Sequence, residues 1–90
     1  MYIVEFALKH TPLPLTVQKK GKEAAEATYK QALDAIASGN PVTLEITCDE
    51  VADKKVAIAV SELAAVQMYD KSGKGASAGR QPGFFALAGE

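Results

Sequence analysis

Residue types able to do acid–base, nucleophilic or metal chemistry are thinly spread through these 90 residues. There is one histidine, His10, and one cysteine, Cys48. His10 opens the run His10-Thr-Pro-Leu-Pro14, where two prolines enforce a turn. A working histidine needs an orienting partner, so an exposed turn residue is the expectation. A lone cysteine excludes an internal disulfide and a multi-cysteine metal site. Cys48 continues the alternation Val42, Leu44, Ile46 and reads as a buried structural thiol. Asp49, Glu50 and Asp53 gather in one turn, but the glycine and terminal glutamate of a calcium loop are missing. A solvated hairpin turn is expected there. These patterns predict no catalytic residue, no metal ligand, no cofactor and no enzyme.

Two further patterns concern phosphate and nucleic acid. Gly73-Lys-Gly-Ala-Ser-Ala-Gly79 follows a strand-like segment, as a phosphate loop would. Such a loop needs Lys followed by Ser or Thr, then a helix whose N-terminus faces the phosphate. Here Gly75 follows Lys74, and Pro82-Gly83 stands where the helix should run. A linker is the better reading. Basic residues cluster at Lys19, Lys20 and Lys22, at Lys54 and Lys55, and at Lys71, Lys74 and Arg80. The three tyrosines, Tyr2, Tyr29 and Tyr69, do not form the paired aromatic motif of an RNA-binding sheet. Ten Lys and Arg against eleven Asp and Glu give a formal charge of −1, so no global field draws the chain to polyanions or an anionic membrane.

The elements that must position these residues are legible from periodicity. Tyr2, Val4, Phe6 and Leu8 alternate with Ile3, Glu5, Ala7 and Lys9, which predicts a strand with one face buried. Leu15–Lys19 reads as a second strand in hairpin with the first, approached along a sheet edge because of Pro12 and Pro14. A helix follows over Lys22–Ser38. Its apolar stripe is Ala25, Tyr29, Ala32, Leu33 and Ile36, with Tyr29, Leu33 and Ile36 expected to fill the gaps against the sheet. Glu26 and Lys30 form a favourable i,i+4 pair, Gly39 is the expected left-handed cap, and Pro41 bars continuation.

Three more strands complete the domain. They are Val42–Cys48 and Lys55–Val60 around the polar Asp49–Lys54 turn, which is expected to be flexible, and Ala64–Tyr69 after a corner at Ser61–Leu63. The predicted order is β-β-α-β-β-β. The fold class is α+β, with one helix packed on one face of a mostly antiparallel sheet. Residues 1–70 make the single domain. Residues 71–83, rich in glycine and lacking large apolar side chains, read as a flexible linker. Residues 84–90 form an apolar C-terminal segment.

The hydrophobic fraction of 48% is that of a globular chain, but much of it is alanine. A domain of this size buries only roughly 60–65% of its unfolded surface, so its stability margin is thin. Glu5 and Lys9 interrupt any secretory apolar run, and no stretch approaches the ~18 apolar residues of a membrane span. A cytoplasmic protein is expected.

Some motifs carry a resemblance. Pro12-Leu-Pro14 with Val17-Gln-Lys, Leu44-Glu-Ile-Thr-Cys48, Lys54-Lys-Val56, Ala65-Val-Gln67 and Gly79-Arg-Gln-Pro-Gly-Phe-Phe85 stand in order along nearly the full chain. In this the sequence resembles a family of uncharacterised small proteins found in cyanobacteria. The resemblance implies a cytoplasmic setting in a photosynthetic bacterium and assigns no residue a role.

With no reactive constellation, the expected function is a non-catalytic protein-interaction module, an adaptor or regulator of a larger assembly. Phe84, Phe85 and Leu87, with Arg80, are its expected partner-binding residues. Two adjacent phenylalanines left in water forgo roughly 1.5–3 kcal/mol each on burial. Homodimerisation is also expected, because the core is small and a sheet edge or face stays uncovered. The alternative is a small RNA- or phosphate-ligand-binding domain that uses the lysine clusters.

Overall fold

The computed structural model describes residues 1–71. The elements are β1 (Tyr2–Leu8), β2 (Leu15–Lys19), α1 (Lys22–Ser38), β3 (Thr43–Thr47), β4 (Lys55–Ala59), a 3₁₀ turn (Val60–Glu62) and β5 (Leu63–Asp70). The domain is α+β, in the order expected. Its strands form two antiparallel ladders: a three-stranded sheet ordered β2-β1-β5 and a two-stranded ribbon of β3 and β4. The first and last strands are thus neighbours, with Val4 opposite Met68 and Phe6 opposite Val66. Backbone bonds extend their pairing at both ends, from Lys9 N to Glu62 O (2.8 Å) and from Lys71 N to Met1 O (2.9 Å). The expected corner is the 3₁₀ turn, pinned by Val60 N donating to Val42 O at 2.9 Å.

The core lies where the helix, the three-stranded sheet and the ribbon meet. Val4, Phe6, Val17, Leu44 and Ile58 are its largest fully buried side chains. On the β1 face expected to be buried, Val4 and Phe6 are sealed, but Glu5 between them, on the face expected to be open, is buried as well. In β3 and β4, Leu44, Ile46 and Ile58 point inward while Thr43, Glu45, Ala57 and Ala59 point out.

The helix presents only part of the stripe expected: Ala25 and Ala32 are buried, but Tyr29 is half-buried and Leu33 and Ile36 are exposed. Its buried residues are Ala25, Thr28, Ala32 and Ala35, spaced 3, 4 and 3 apart. Leu33 is 45% exposed and Ile36 37%. Small side chains let the helix axis approach β5 and β1 closely, and a face bearing Leu33 and Ile36 would hold it off. The bulky residues are therefore displaced to the flank. Thr28 is tolerated inside because its hydroxyl donates to Ala24 O at 3.0 Å.

Lys30 also differs from expectation, pairing with Asp34 (3.6 Å) rather than Glu26. Both sites are i,i+4 neighbours of Lys30, and the pair is well exposed, so it contributes little. Gly39 does cap the helix, at φ 78°, with its N–H on Ala35 O at 2.7 Å.

Candidate interaction surfaces

Strand β2 has no strand on its outer side, yet its edge is not bare. Asp49 N donates to Gln18 O (2.8 Å), and Gln18 N donates to Cys48 Sγ (3.3 Å). Lys20 N donates to Asp49 Oδ2 (3.0 Å), and Lys54 Nζ donates to Thr16 O (3.1 Å). The Cys48–Lys54 turn thus satisfies in sequence the groups a further strand would have paired. The turn expected to be flexible is instead a clamp joining the ribbon to the three-stranded sheet. Of its acids, Asp49 serves the backbone, accepting from the Lys20 N–H.

Cys48 is buried, as its place in the β3 alternation predicts, but its thiol sits in a polar shell. Burial pushes the thiol pKa up. The N–H groups of Gln18, Val51 and Glu50 and the charge of Lys54 outweigh that and bring it below the ordinary value of 9.0. His10 is an exposed turn residue at the end of β1, at φ 64°. Among the described residues, no group of three His, Cys, Asp or Glu side chains could hold a metal ion.

The same clamp gathers lysines that lie far apart in sequence. Lys54 reaches Thr16, Lys71 Nζ donates to Gln18 Oε1 (3.3 Å), and Lys19 Nζ donates to Thr47 Oγ1 (3.2 Å). Two cations from other runs, Lys54 and Lys71, thus reach β2, while the buried Lys19 of β2 itself reaches Thr47 on β3; each is held by a neutral acceptor.

The face of the three-stranded sheet opposite the core carries Ile3, Glu5 and Ala7 on its central strand. Sequence alternation marks it as the open face, yet Glu5 is only 5% exposed. Gln67 Nε2 donates to Glu5 Oε1 at 2.8 Å, and the Tyr69 hydroxyl bonds the same carboxylate. Partial burial, then the Glu5 charge and this hydrogen bond, push the Tyr69 phenol above its ordinary 10.0. A single glutamate flanked in sequence by Val4 and Phe6 gave no signal for this, because Gln67 lies 62 residues away on β5.

A third surface is apolar. At the C-terminal end of α1 lies a groove of about 420 Å³. Its floor is the buried Ala35, Val60 and Leu63; Ile36 and Val42 form its exposed walls, and Lys9 and Ser61 supply its polar part. Val42 is 78% exposed, and Leu33 lies one helical turn before Ile36. The expected partner-binding residues Arg80, Phe84, Phe85 and Leu87 lie outside the described residues, as do the linker and apolar segment they belong to.

These features define a small α+β domain whose conspicuous surfaces are a clamped basic edge, a buried carboxylate network and an apolar groove. The chain belongs to the UPF0367 protein family, whose pattern matches residues 3–71. It is 56% identical over 87 residues to a UPF0367 protein of Acaryochloris marina, covering 97% of this chain and 98% of that one. Identity to one from Synechococcus elongatus is 50% over the whole of both chains. A UPF0367 protein of Prochlorococcus marinus is 52% identical over 84 residues, covering 93% of this chain and 95% of that one. These relatives come from cyanobacteria, as the resemblance implied. No solved structure matches the chain. Among the described residues, no helix is long and apolar enough to cross a membrane.

Proposed function

We propose that this chain is a non-catalytic protein-interaction module of the cyanobacterial cytoplasm, an adaptor or regulator of a larger assembly. Its docking element is the segment bearing Phe84, Phe85 and Leu87, with Arg80 adding a charged contact. The observation that carries this reading is the pair Ile36 and Val42, large apolar side chains left in solvent along one groove. Apolar surface gathered in this way marks interaction sites far more often than scattered residues do.

The test is capture of a protein partner from host lysate by full-length chain, compared with Phe84→Ala/Phe85→Ala at matched fold. Loss of a specific partner from the double variant is expected. An identical set of captured proteins from both would overturn the role of the segment. Homodimerisation belongs to the same reading: light scattering at ~100 μM showing only monomer, with stability independent of dilution, would remove it.

A second reading is favoured by Lys54 and Lys71, which reach β2 from two other runs. It makes that edge a site for RNA or another phosphate-bearing ligand. Binding to generic RNA that weakens steeply as salt rises would support it. Salt-independent binding, or none, would remove it.

A further inference from the structure

We propose that the outer edge of β5 is a dimer interface, pairing antiparallel with β5 of a second copy about a two-fold axis at Gln67, so that two sheets join into one. The inference rests on the homodimerisation included in the reading above, and adds the strand and the register through which it occurs.

Strand β5 ends the order β2-β1-β5, so among the described residues it has a strand on one side only. The ladder fixes which of its main-chain groups face outward. Lys71 N donates to Met1 O, so the alternate residues Tyr69, Gln67 and Ala65 turn their main chain to β1 as well. The N–H and C=O groups of Val66 and Met68 therefore point away from the sheet. The far edge agrees with this parity. Gln18 stands opposite Ile3, which stands opposite Tyr69, and the Gln18 main chain does face out, to Cys48 and Asp49. There the 48–54 turn meets the edge, and no described segment does the same for β5.

Edge strands are ordinarily blunted by lysine, proline, an inward charge or shortness. Leu63–Tyr69 reads Leu-Ala-Ala-Val-Gln-Met-Tyr, with neither charge nor proline, in the longest described strand. The ribbon strands β3 and β4 are five residues long and carry Glu45 and Lys55.

A second copy fits this edge because the strand is complementary to itself. Gln67 lies midway between Leu63 and Lys71. Turned about Gln67, Val66 meets the second copy's Met68, and Tyr69 meets its Ala65, a large ring against a small side chain. Val66 and Met68 then exchange about four main-chain bonds across the axis. Both are half-buried, whereas Val4 and Phe6 beside them on β1 are sealed, so the second copy completes the cover of the core at its rim. Gln67 does not obstruct the approach, since its amide is turned to Glu5 on β1. The axis is normal to the sheet, which keeps both helices on one face.

The test uses full-length chain. Light scattering over about 10–500 μM should show a monomer–dimer equilibrium. Gln67→Cys should form a disulfide-linked dimer under mild oxidation. Only the residue on the axis meets its own copy at bridging distance, with about 4.5 Å between Cα atoms of a non-hydrogen-bonded pair. Ala65→Cys, on the same face, should not crosslink, and the wild type, whose Cys48 is buried, gives the baseline. Met68→Pro removes an outward N–H and no bond to β1, and should raise the dimer dissociation constant about tenfold or more. Unchanged Leu44 and Ile58 methyl shifts would show its core intact. Monomer at every concentration overturns the proposal together with the homodimerisation beneath it. A dimer that fails to crosslink through Gln67→Cys, or crosslinks as readily through Ala65→Cys, overturns the β5 interface alone. So does a dimer that a folded Met68→Pro leaves undiminished. Should Met68→Pro not fold, the two cysteine variants decide by themselves.

Discussion

Glu5 and Gln67 stand directly opposite each other on β1 and β5, and the Gln67 amide donates to Glu5 Oε1 at 2.8 Å. This cross-strand pair, with Tyr69 one step along the diagonal, ties the first strand of the chain to the last by side chains as well as backbone. It lies on the face opposite the core, so its contribution is separable from that of Phe6 and Val4. Glu5→Ala leaves Gln67 and Tyr69 without their shared acceptor, and a loss of about 1–3 kcal/mol is expected. Urea unfolding with an unchanged slope should report it as a lower midpoint. A change within ~0.5 kcal/mol would show the pair to be ornamental.

Tyr69 should ionise later than an unperturbed tyrosine. Its phenol pKa is raised in the folded chain, so its contribution is complete below the unfolded value of 10.0. That contribution is lost as pH climbs through the higher folded value. Spectrophotometric titration of the phenolates should show a late component that is absent in Tyr69→Phe and moved down in Glu5→Gln. An unchanged titration in Glu5→Gln would contradict the assigned partner.

For Cys48 the sign is opposite. Its folded pKa lies below 9.0, so stability drawn from the thiolate is present above that value and fades as pH falls through the folded one. Thiolate absorbance should titrate below that of unfolded chain, and Lys54→Met should shift the midpoint upward. A midpoint at or above the unfolded value would mean that burial prevails over the N–H groups.

The clamp on β2 is tested through Asp49. Asp49→Ala removes the acceptor for Lys20 N–H at an exposed position, which should cost about 0.5–1.5 kcal/mol. Amide exchange should quicken at Lys20 and Gln18 before it does at Val4 or Phe6. Uniform acceleration across the sheet would show instead that the turn unfolds only with the whole domain.

The helix face makes the last case. Ala32 is fully buried and Leu33 is 45% exposed. Ala32→Leu should destabilise by about 1–3 kcal/mol through overpacking, whereas Leu33→Ser should stay within ~0.5 kcal/mol. Thermal melts giving the reverse order would restore the stripe read from sequence.

What the sequence determined by itself is local. The two-residue period of Tyr2–Leu8, the helix ended by Gly39, and the polar turn between β3 and β4 each follow from side-chain spacing and backbone chemistry within a few residues. The absence of a multi-cysteine site follows from a count. Tertiary structure decided which groups meet. Helical spacing allows more than one apolar stripe on an alanine-rich helix. Only close approach to β5 and β1 selected the Ala25–Ala35 face and turned Leu33 and Ile36 outward. Asp49 and Lys54 of the 49–54 turn read as solvated from sequence, because the groups their side chains bond, Lys20 N–H and Thr16 O, lie about thirty residues or more away. Burial of Glu5 likewise required β5 to return beside β1. Pairings across such distances depend on how loops close and strands order, and no local period encodes them.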